Sequence, residues 1–341
     1  MKIAVISRDP ELYANCRLQA VANERGVELT VIDPLVCHEA QFLESFDAAL
    51  PRFGPIWQVP GGELLARMQA HGVVCLNTAE SVALARDKQA AMAIYHHRGL
   101  PIPVSFSPST PMDARSLMGL PFGFPMLIKQ DVSAGGWGVH RVDDVESAVA
   151  LMARLSEAGE RYTLQAFIAE AAGRDIRAFV CSGHVIAAMQ RIAAPGEFRA
   201  NVSLGARTEA IALTENETAL VLEATASIGL TVAGVDLLRT ATGPLLLEVN
   251  AAPGFEALEA ATGRDIAGQM LDLVISRTNG QNMTVNNQII SSVCAPRQQP
   301  TGYGNRSFTV LTRQAGNRLP GFLWFGQELV VFSILRYLQF I

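Results

Sequence analysis

Three residues in this 341-residue chain have the types and spacing for chemistry: Asp236, Glu248 and Asn250. Glu248 and Asn250 close the apolar run GPLLLEVN (243–250). Side chains two apart on a strand share a face, so a carboxylate and an amide project side by side from an otherwise buried strand. Asp236 lies in VAGVDLLRT, and TATG between the two runs reads as a hairpin turn, which brings Asp236 near Glu248. Such oxygens suit a hard cation like Mg²⁺, which takes a few protein ligands and completes its shell with water or nucleotide phosphate. Each residue alone is better explained as a cap or an ion-pair partner. Together, on neighbouring strands and facing one way, they point to a metal.

Only three of the 27 basic residues are lysine: Lys2, Lys88 and Lys129. In so arginine-rich a chain, an internal lysine suggests a need for a compact ammonium. Lys129 ends the apolar strand FPMLIKQ, just before SAGGWGV (133–139). The backbone N–H groups around Gly135, Gly136 and Gly138 are bare of bulky side chains and suit a loop lying over phosphates, although half of such loops are plain turns. The two lysines nearby would add point charges for α- and β-phosphates.

The elements that must position these residues follow from periodicity. KIAVISRD, VELTVIDP, FDAALPRFG and VVCLN read as strands separated by helical segments, so about 80 residues form an α/β domain with a parallel sheet. It has no GxGxxG and no GxxxxGK[ST]. TAESVALARDKQAAMAIYHHRG reads as one helix with a threonine cap and a glycine stop. A helix over about 143–158, the strand YTLQAFI, the hairpin RDIRAFVCSGHVIAAMQRI, the helix TENETALVLEATASIG, the hairpin carrying the oxygen ligands and the helix DIAGQMLDLVISR follow. Hairpins mixed with helices indicate α+β layers after the first domain.

Residues 1–276 carry 21 basic and 31 acidic side chains, against six and one in residues 277–341. An acidic body argues against general nucleic-acid binding. Cys16, Cys37, Cys75, Cys181 and Cys294 lack CxxC spacing and the histidines are scattered, so neither a zinc site nor a disulfide framework is expected. The N-terminal residues read as a strand rather than a secretory leader, which predicts a cytoplasmic protein. The basic, amide-rich tail from 277 ends in an apolar run broken by Gln327, Glu328, Arg336 and Gln339, a poor membrane span. It is either a partner-binding amphipathic helix or an unrelated extension.

MKIAVISRDPELY, VIDPL, LPRFG, ARDK, DIRAFV, VAGVDLLR and above all LEVNAAPGFEALEAATGRDIAGQM resemble, in this order, the ATP-grasp ligases of the RimK type, over residues 1 to about 276. The resemblance implies an α/β N-terminal domain (1–86), then an α+β ATP-grasp fold with a lid subdomain (87–160) and an antiparallel-sheet core (161–276); residues 277–341 stay unassigned. It implies that ATP is bound with two Mg²⁺, or Mn²⁺, held by Asp236, Glu248 and Asn250. Lys88 and Lys129 would meet the phosphates under Gly135, Gly136 and Gly138. The backbone of Gln165, Ala166, Phe167 and Ile168 would meet adenine, and Asp175 the ribose. Arg199, Ala200 and Asn201 would approach phosphate or substrate, with Arg177 and Arg191 neutralising an acyl phosphate. The implied reaction joins an amino acid, glutamate in the family, to a carboxylate acceptor such as a protein C-terminus. A small-molecule or cofactor acceptor keeps the same chemistry. Ala166, Ala200 and Trp137 depart from the family's acidic, serine and aliphatic residues, and so motivate a third reading, a non-catalytic ATP-binding regulator. Assembly into a homo-oligomer is compatible with the sequence and specified by nothing in it.

Overall fold

The computed structural model describes residues 1–36, 38–133 and 135–280; the two readings of the tail lie outside the described residues. The chain opens with β1 (Lys2–Ile6), α1 (Tyr13–Glu24), β2 (Glu28–Ile32), α2 (Ala40–Glu44), β3 (Ala48–Pro51), α3 (Gln58–Ala70) and β4 (Val74–Cys75). Its four strands form a parallel sheet in the order β2-β1-β3-β4. Ile3 to Ile6 are wholly buried, as strands covered on both faces require.

The single helix expected over 78–99 is two, α4 (Ala79–Arg86) and α5 (Lys88–His97). Asp87 leaves the helical region (φ −80°, ψ 92°), and its carboxylate accepts from the Ala90 N–H at 3.0 Å, so it ends α4 and caps α5. Short acidic side chains compete for backbone donors in this way. The break makes Lys88 the first residue of α5.

The lid comprises β5 (Ser105–Phe106), α6 (Ala114–Met118), β6 (Met126–Gln130), β7 (Val139–Val142), α7 (Val145–Glu157) and β8 (Tyr162–Ala166), with its antiparallel sheet ordered β5-β8-β6-β7. Past residue 160, β8 pairs with β6 from Met126–Ala166 to Gln130–Tyr162 and so continues this sheet. Leu117, Met126, Ile128, Met152 and Leu164 give the lid a core of its own.

The core sheet consists of β9 (Arg174–Cys181), β10 (His184–Ile192), β11 (Arg207–Ala210), β12 (Val232–Thr240) and β13 (Gly243–Asn250), in the order β11-β10-β9-β12-β13. Helices α8 (Glu215–Ser227), α9 (Glu256–Thr262) and α10 (Ile266–Thr278) complete it; α9 and β11 are shorter than the periodicity could mark. One face of the sheet, including Ile176, Ala178, Val235 and Leu237, joins Leu220 and Val221 of α8 in a cluster that continues into Ala4, Ile6 and Ala49. On the other face, Phe179 and Cys181 join α10 and the N-terminal Ile3, Val5 and Leu50. The first domain thus shares both cores with the last. Among the described residues no helix is long and apolar enough to cross a membrane.

One buried amide helps to fasten this junction. Buried Asn77 donates to Val232 O (2.7 Å) and Ala251 O (3.0 Å) and accepts from the N–H groups of Thr231 (2.7 Å) and Val232 (2.9 Å). Asn77→Ala strands all four partners, and the expected loss of unfolding free energy in denaturant titration is about 3 kcal/mol or more, several buried groups being left unpaired. A loss below about 1 kcal/mol would show that the amide is not the fastening.

Candidate active site

Strand register assembles the site. Across the core sheet Arg191 lies opposite Asp175, Arg177 opposite Asp236, Asp236 opposite Glu248 and Gly234 opposite Asn250. The hairpin expectation for Asp236 and Glu248 is met directly. A bulge then offsets the ladder, so that Leu237 faces Leu246, the sort of irregularity that re-aims side chains beside active sites. The Asn250 amide donates to Glu248 Oε1 at 3.0 Å, showing the two side chains together on one face.

Behind this pair lies a buried ionic lattice. Arg191 donates to both Asp175 oxygens (2.6 and 2.7 Å) and sits 3.0 Å from Asp236 Oδ2; Arg177 holds Asp236 with Nε and, at 2.7 Å, with Nη2. Burial alone would raise the Asp236 pKa, but the Arg177 and Arg191 charges reverse this and hold it at about 2. Asp175 is pushed up to about 6, by burial first and then by the Asp236 charge, against the pull of Arg191. Its carboxylate is thus directed at Arg191.

Lys129 faces the lattice from β6. Desolvation lowers its pKa to about 8, although Glu248, Asp236 and Asp175 pull the other way; Lys88 adds to the lowering. No hydrogen bond reaches its ammonium among the described residues. Lys88 instead donates to Gln130 O (2.7 Å) and Ser133 Oγ (2.9 Å), tying down the start of the glycine-rich loop. Gly135 and Gly136 are left-handed (φ 63° and 83°), and a Cβ on Gly136 would lie 2.6 Å from Asn201 Oδ1. A Cβ on Gly138 would lie 2.4 Å from that of Ser133. The loop rests on the segment 199–204: Ser203 Oγ donates to Gly135 O (3.0 Å) and Arg199 Nη1 to Gly136 O (3.1 Å). Ala200 buries its methyl and offers only backbone.

Of the residues expected at adenine, Gln165 spends its amide on Ser105 Oγ (2.9 Å) and Ala166 its N–H on Val104 O (2.8 Å). The backbone N–H and C=O of Phe167 have no partner among the described residues. Ile168 gives its carbonyl to Ala171. The Phe167 ring lies under Arg141 at 4.9 Å and edge-on to Phe198 at 6.0 Å. Sequence reading missed Glu197, which accepts from Arg199 Nε (3.0 Å) and Nη2 (2.8 Å); chiefly this bonding holds its carboxyl down at about 2. Also missed was Tyr95, fully buried with an unpartnered hydroxyl close enough to Glu248 to feel its charge. The spacing of Glu197 from Arg199 was a usable signal for the first; nothing local marks the second.

The RimK-like ATP-grasp domain matches residues 85–274 and the RimK pre-ATP-grasp domain residues 1–41. A probable alpha-L-glutamate ligase of Hahella chejuensis is 38% identical over 286 residues, covering 80% of this chain and 94% of its own length. This chain belongs to the RimK-like ATP-grasp family. It is an ATP-dependent carboxylate–amine ligase by that membership. Its ATP-grasp fold is also that of the D-alanine–D-alanine ligase of Bacillus anthracis complexed with ATP (TM-score 0.65, 18% identity, 82% of this chain and 98% of that one). A further neighbour is the ATP-grasp ligase PsnB with a phosphomimetic precursor variant, Mg and ADP (TM-score 0.62, 20% identity, 81% and 98%).

The lowered Lys129 has a measurable consequence for a RimK-like ligase. Phosphates brought against this ammonium raise its pKa, so binding above pH 8 takes up a proton and affinity falls as pH rises, by up to about tenfold per unit. Calorimetric titration with Mg-ATP from pH 7.5 to 9.5 is expected to show this slope in the native chain and its loss, with weaker binding throughout, in Lys129→Met. Equal affinity and equal slope in both would remove Lys129 from the phosphate site.

Proposed function

We propose that this ligase joins glutamate to the C-terminal carboxylate of a peptide or protein through an acyl phosphate. The observation that carries the chemistry is the sheet face on which Asp236, Glu248 and Asn250 meet two arginines, opposite a lysine of the lid. The donor set fits a hard cation: two carboxylates, one held ionised, and an amide whose N–H₂ is turned to Glu248, leaving its oxygen outward. Asp236 is partly spent on its arginines, so Glu248 and Asn250 are the more available ligands. Two Mg²⁺ held here, or Mn²⁺, would neutralise phosphate charge and draw the γ-phosphoryl towards the acceptor.

The residues of the chain supply the rest. An acceptor carboxylate oxygen bonds to the γ-phosphorus as its bond to the ADP oxygen breaks. The amine nitrogen then bonds to the acyl carbon, phosphate leaves, and the amine gives up a proton. Lys129 compensates phosphate charge from the lid. Arg177 and Arg191 each keep Nη1 unbonded among the described residues; Arg177, the less buried of the two, would meet the charge that builds at the acyl centre. The lid and its glycine-rich loop would exclude the water that otherwise hydrolyses the acyl phosphate.

A peptide acceptor is supported by the carboxyl edge of the N-terminal sheet, the edge at which parallel sheets bind ligands. The segments that leave β2 and β3 there expose Leu35, Val36, Ile56 and Val59, more apolar surface than a small acceptor needs. Glutamate comes from the names of relatives such as the Hahella protein.

ADP and phosphate release, with Mg-ATP, each amino acid in turn and peptide acceptors of varied C-terminus, is expected to require both glutamate and a peptide. Release with glutamate and small carboxylates alone would replace the peptide reading, and binding without release would replace the enzyme reading. Glu248→Gln is expected to keep the fold and lower turnover by about a hundredfold or more, a charged ligand being lost. Normal Mg²⁺-dependent turnover in that variant would remove Glu248 from the metal site.

A further inference from the structure

Two arginines outside this machinery are half-buried without an acid, each with one buried guanidinium nitrogen that has no partner. Arg52 follows β3 in LPRFG, its Nε has no hydrogen-bond partner, and its guanidinium stands 5.5 Å from the centre of the Phe255 ring. Arg86 ends α4; its Nη2 donates to Phe53 O, its guanidinium lies 5.0 Å over the Phe53 ring, and its Nη1 has no partner. Neither forms an ion pair among the described residues, and burial lowers both pKa values to about 10, with each other's charge adding to the effect at Arg52. Both therefore stay charged at neutral pH. The walls are apolar, Phe53 and Phe255 being almost wholly buried.

Buried guanidinium groups ordinarily come with a carboxylate, because an unpaired buried charge is expensive. Their place shows what is missing. The Arg52 backbone N–H donates to Ile6 O (3.0 Å), at the carboxyl edge of the parallel sheet. Phe255 follows Pro253, which packs so closely on Gly234 that a Cβ there would lie 2.6 Å from Pro253 Cβ and 3.4 Å from Arg177 Cδ. Arg86 is two residues before Lys88. The pair thus adjoins the exit of the strand bearing Glu248 and Asn250 through Phe255, and the start of α5 through Arg86.

We propose that Arg52 and Arg86 form a receptor for a substrate carboxylate other than the one being activated. The proposal rests on the ligase reading for the word substrate. The carboxylate belongs either to the side chain of the incoming amino acid or to the acceptor. A guanidinium pair between aromatic walls selects a planar anion and excludes the uncharged amide analogue, whose N–H₂ would face N–H donors.

Two measurements on the full chain test this, one of them independent of turnover. Without ATP, glutarate and L-glutamate are expected to raise the melting temperature of the native chain at fixed ionic strength, with chloride as control, and to have no effect on Arg52→Met. Arg52→Met itself is expected to melt no lower than the native chain, since it removes an unpaired buried charge; a merely structural arginine would melt lower. In turnover, Arg52→Met should raise KM for one co-substrate on the order of 30-fold, the size of a lost charge-assisted pair. Its kcat and KM for ATP should stay unchanged, and Arg52→Lys should recover part of the loss. The co-substrate whose KM moves names the source. If no amino acid supports turnover, the ligase reading fails and the glutarate measurement still decides the site. Equal glutarate stabilisation in native chain and variant, no stabilisation in either, or a fall in kcat with KM unchanged would each overturn the proposal. Should Arg52→Met not fold, Arg52→Lys and Arg86→Lys are compared in the same way.

Discussion

The structure turns on the buried lattice of Asp175, Arg191, Asp236 and Arg177. Two acids and two bases, drawn from three adjacent strands, cancel in charge where water does not reach, and Asp236 is the only member shared by both arginines. Loss of one member leaves an uncompensated buried charge, typically a cost of about 3–5 kcal/mol. The lattice therefore fixes the register of β9, β10 and β12 as firmly as their hydrophobic face does. It also divides the oxygen ligands into one rigid carboxylate, locked by guanidinium groups, and one softer pair, Glu248 with Asn250.

The lid meets this face as a separate body. Its core is its own, and its inward charge, Lys129, is drawn by Glu248, Asp236 and Asp175 across the gap. Those carboxylates are the counter-charge to the lysine. The glycine-rich loop is meanwhile held by two carbonyl contacts to Ser203 and Arg199 and by Lys88 at Ser133.

How much of this was readable from the chain depended on distance along it. Asp236 and Glu248 are joined by one hairpin, so alternation and a glycine turn sufficed to pair them. The α/β opening, the lid strand ending at Lys129 and the order of the elements were equally local. Asp87 was hidden because helical spacing continues through it while its carboxylate caps the next turn. The Asp175–Arg191 pair was hidden because no pattern reveals an arginine sixteen residues away on the neighbouring strand. Tyr95, Arg52 and Arg86 were out of reach altogether: their significance is the partner each lacks in the folded chain, and a sequence does not display an absence. The RimK-like motif LEVNAAPGFEALEAATGRDIAGQM held structural residues as well. Within it, Glu259 accepts from Tyr13 Oη (2.7 Å) and from the first N–H groups of α10, Ile266 (2.8 Å) and Ala267 (3.0 Å), a clamp and not a ligand.

That clamp and the Asn77 amide bear on how such enzymes diversify. Each joins the N-terminal domain to the last by a buried side chain, the Asn77 amide spending all its bonds on the other part and Glu259 dividing its two oxygens between the parts, and the two parts share both hydrophobic cores. A recombination that imported a foreign N-terminal domain would have to bring an amide at one point, a tyrosine at another and two matching apolar surfaces. Piecewise change at the carboxyl edge of the resident domain meets no such demand. Change confined to the loops at that edge would leave the joint between the domains intact.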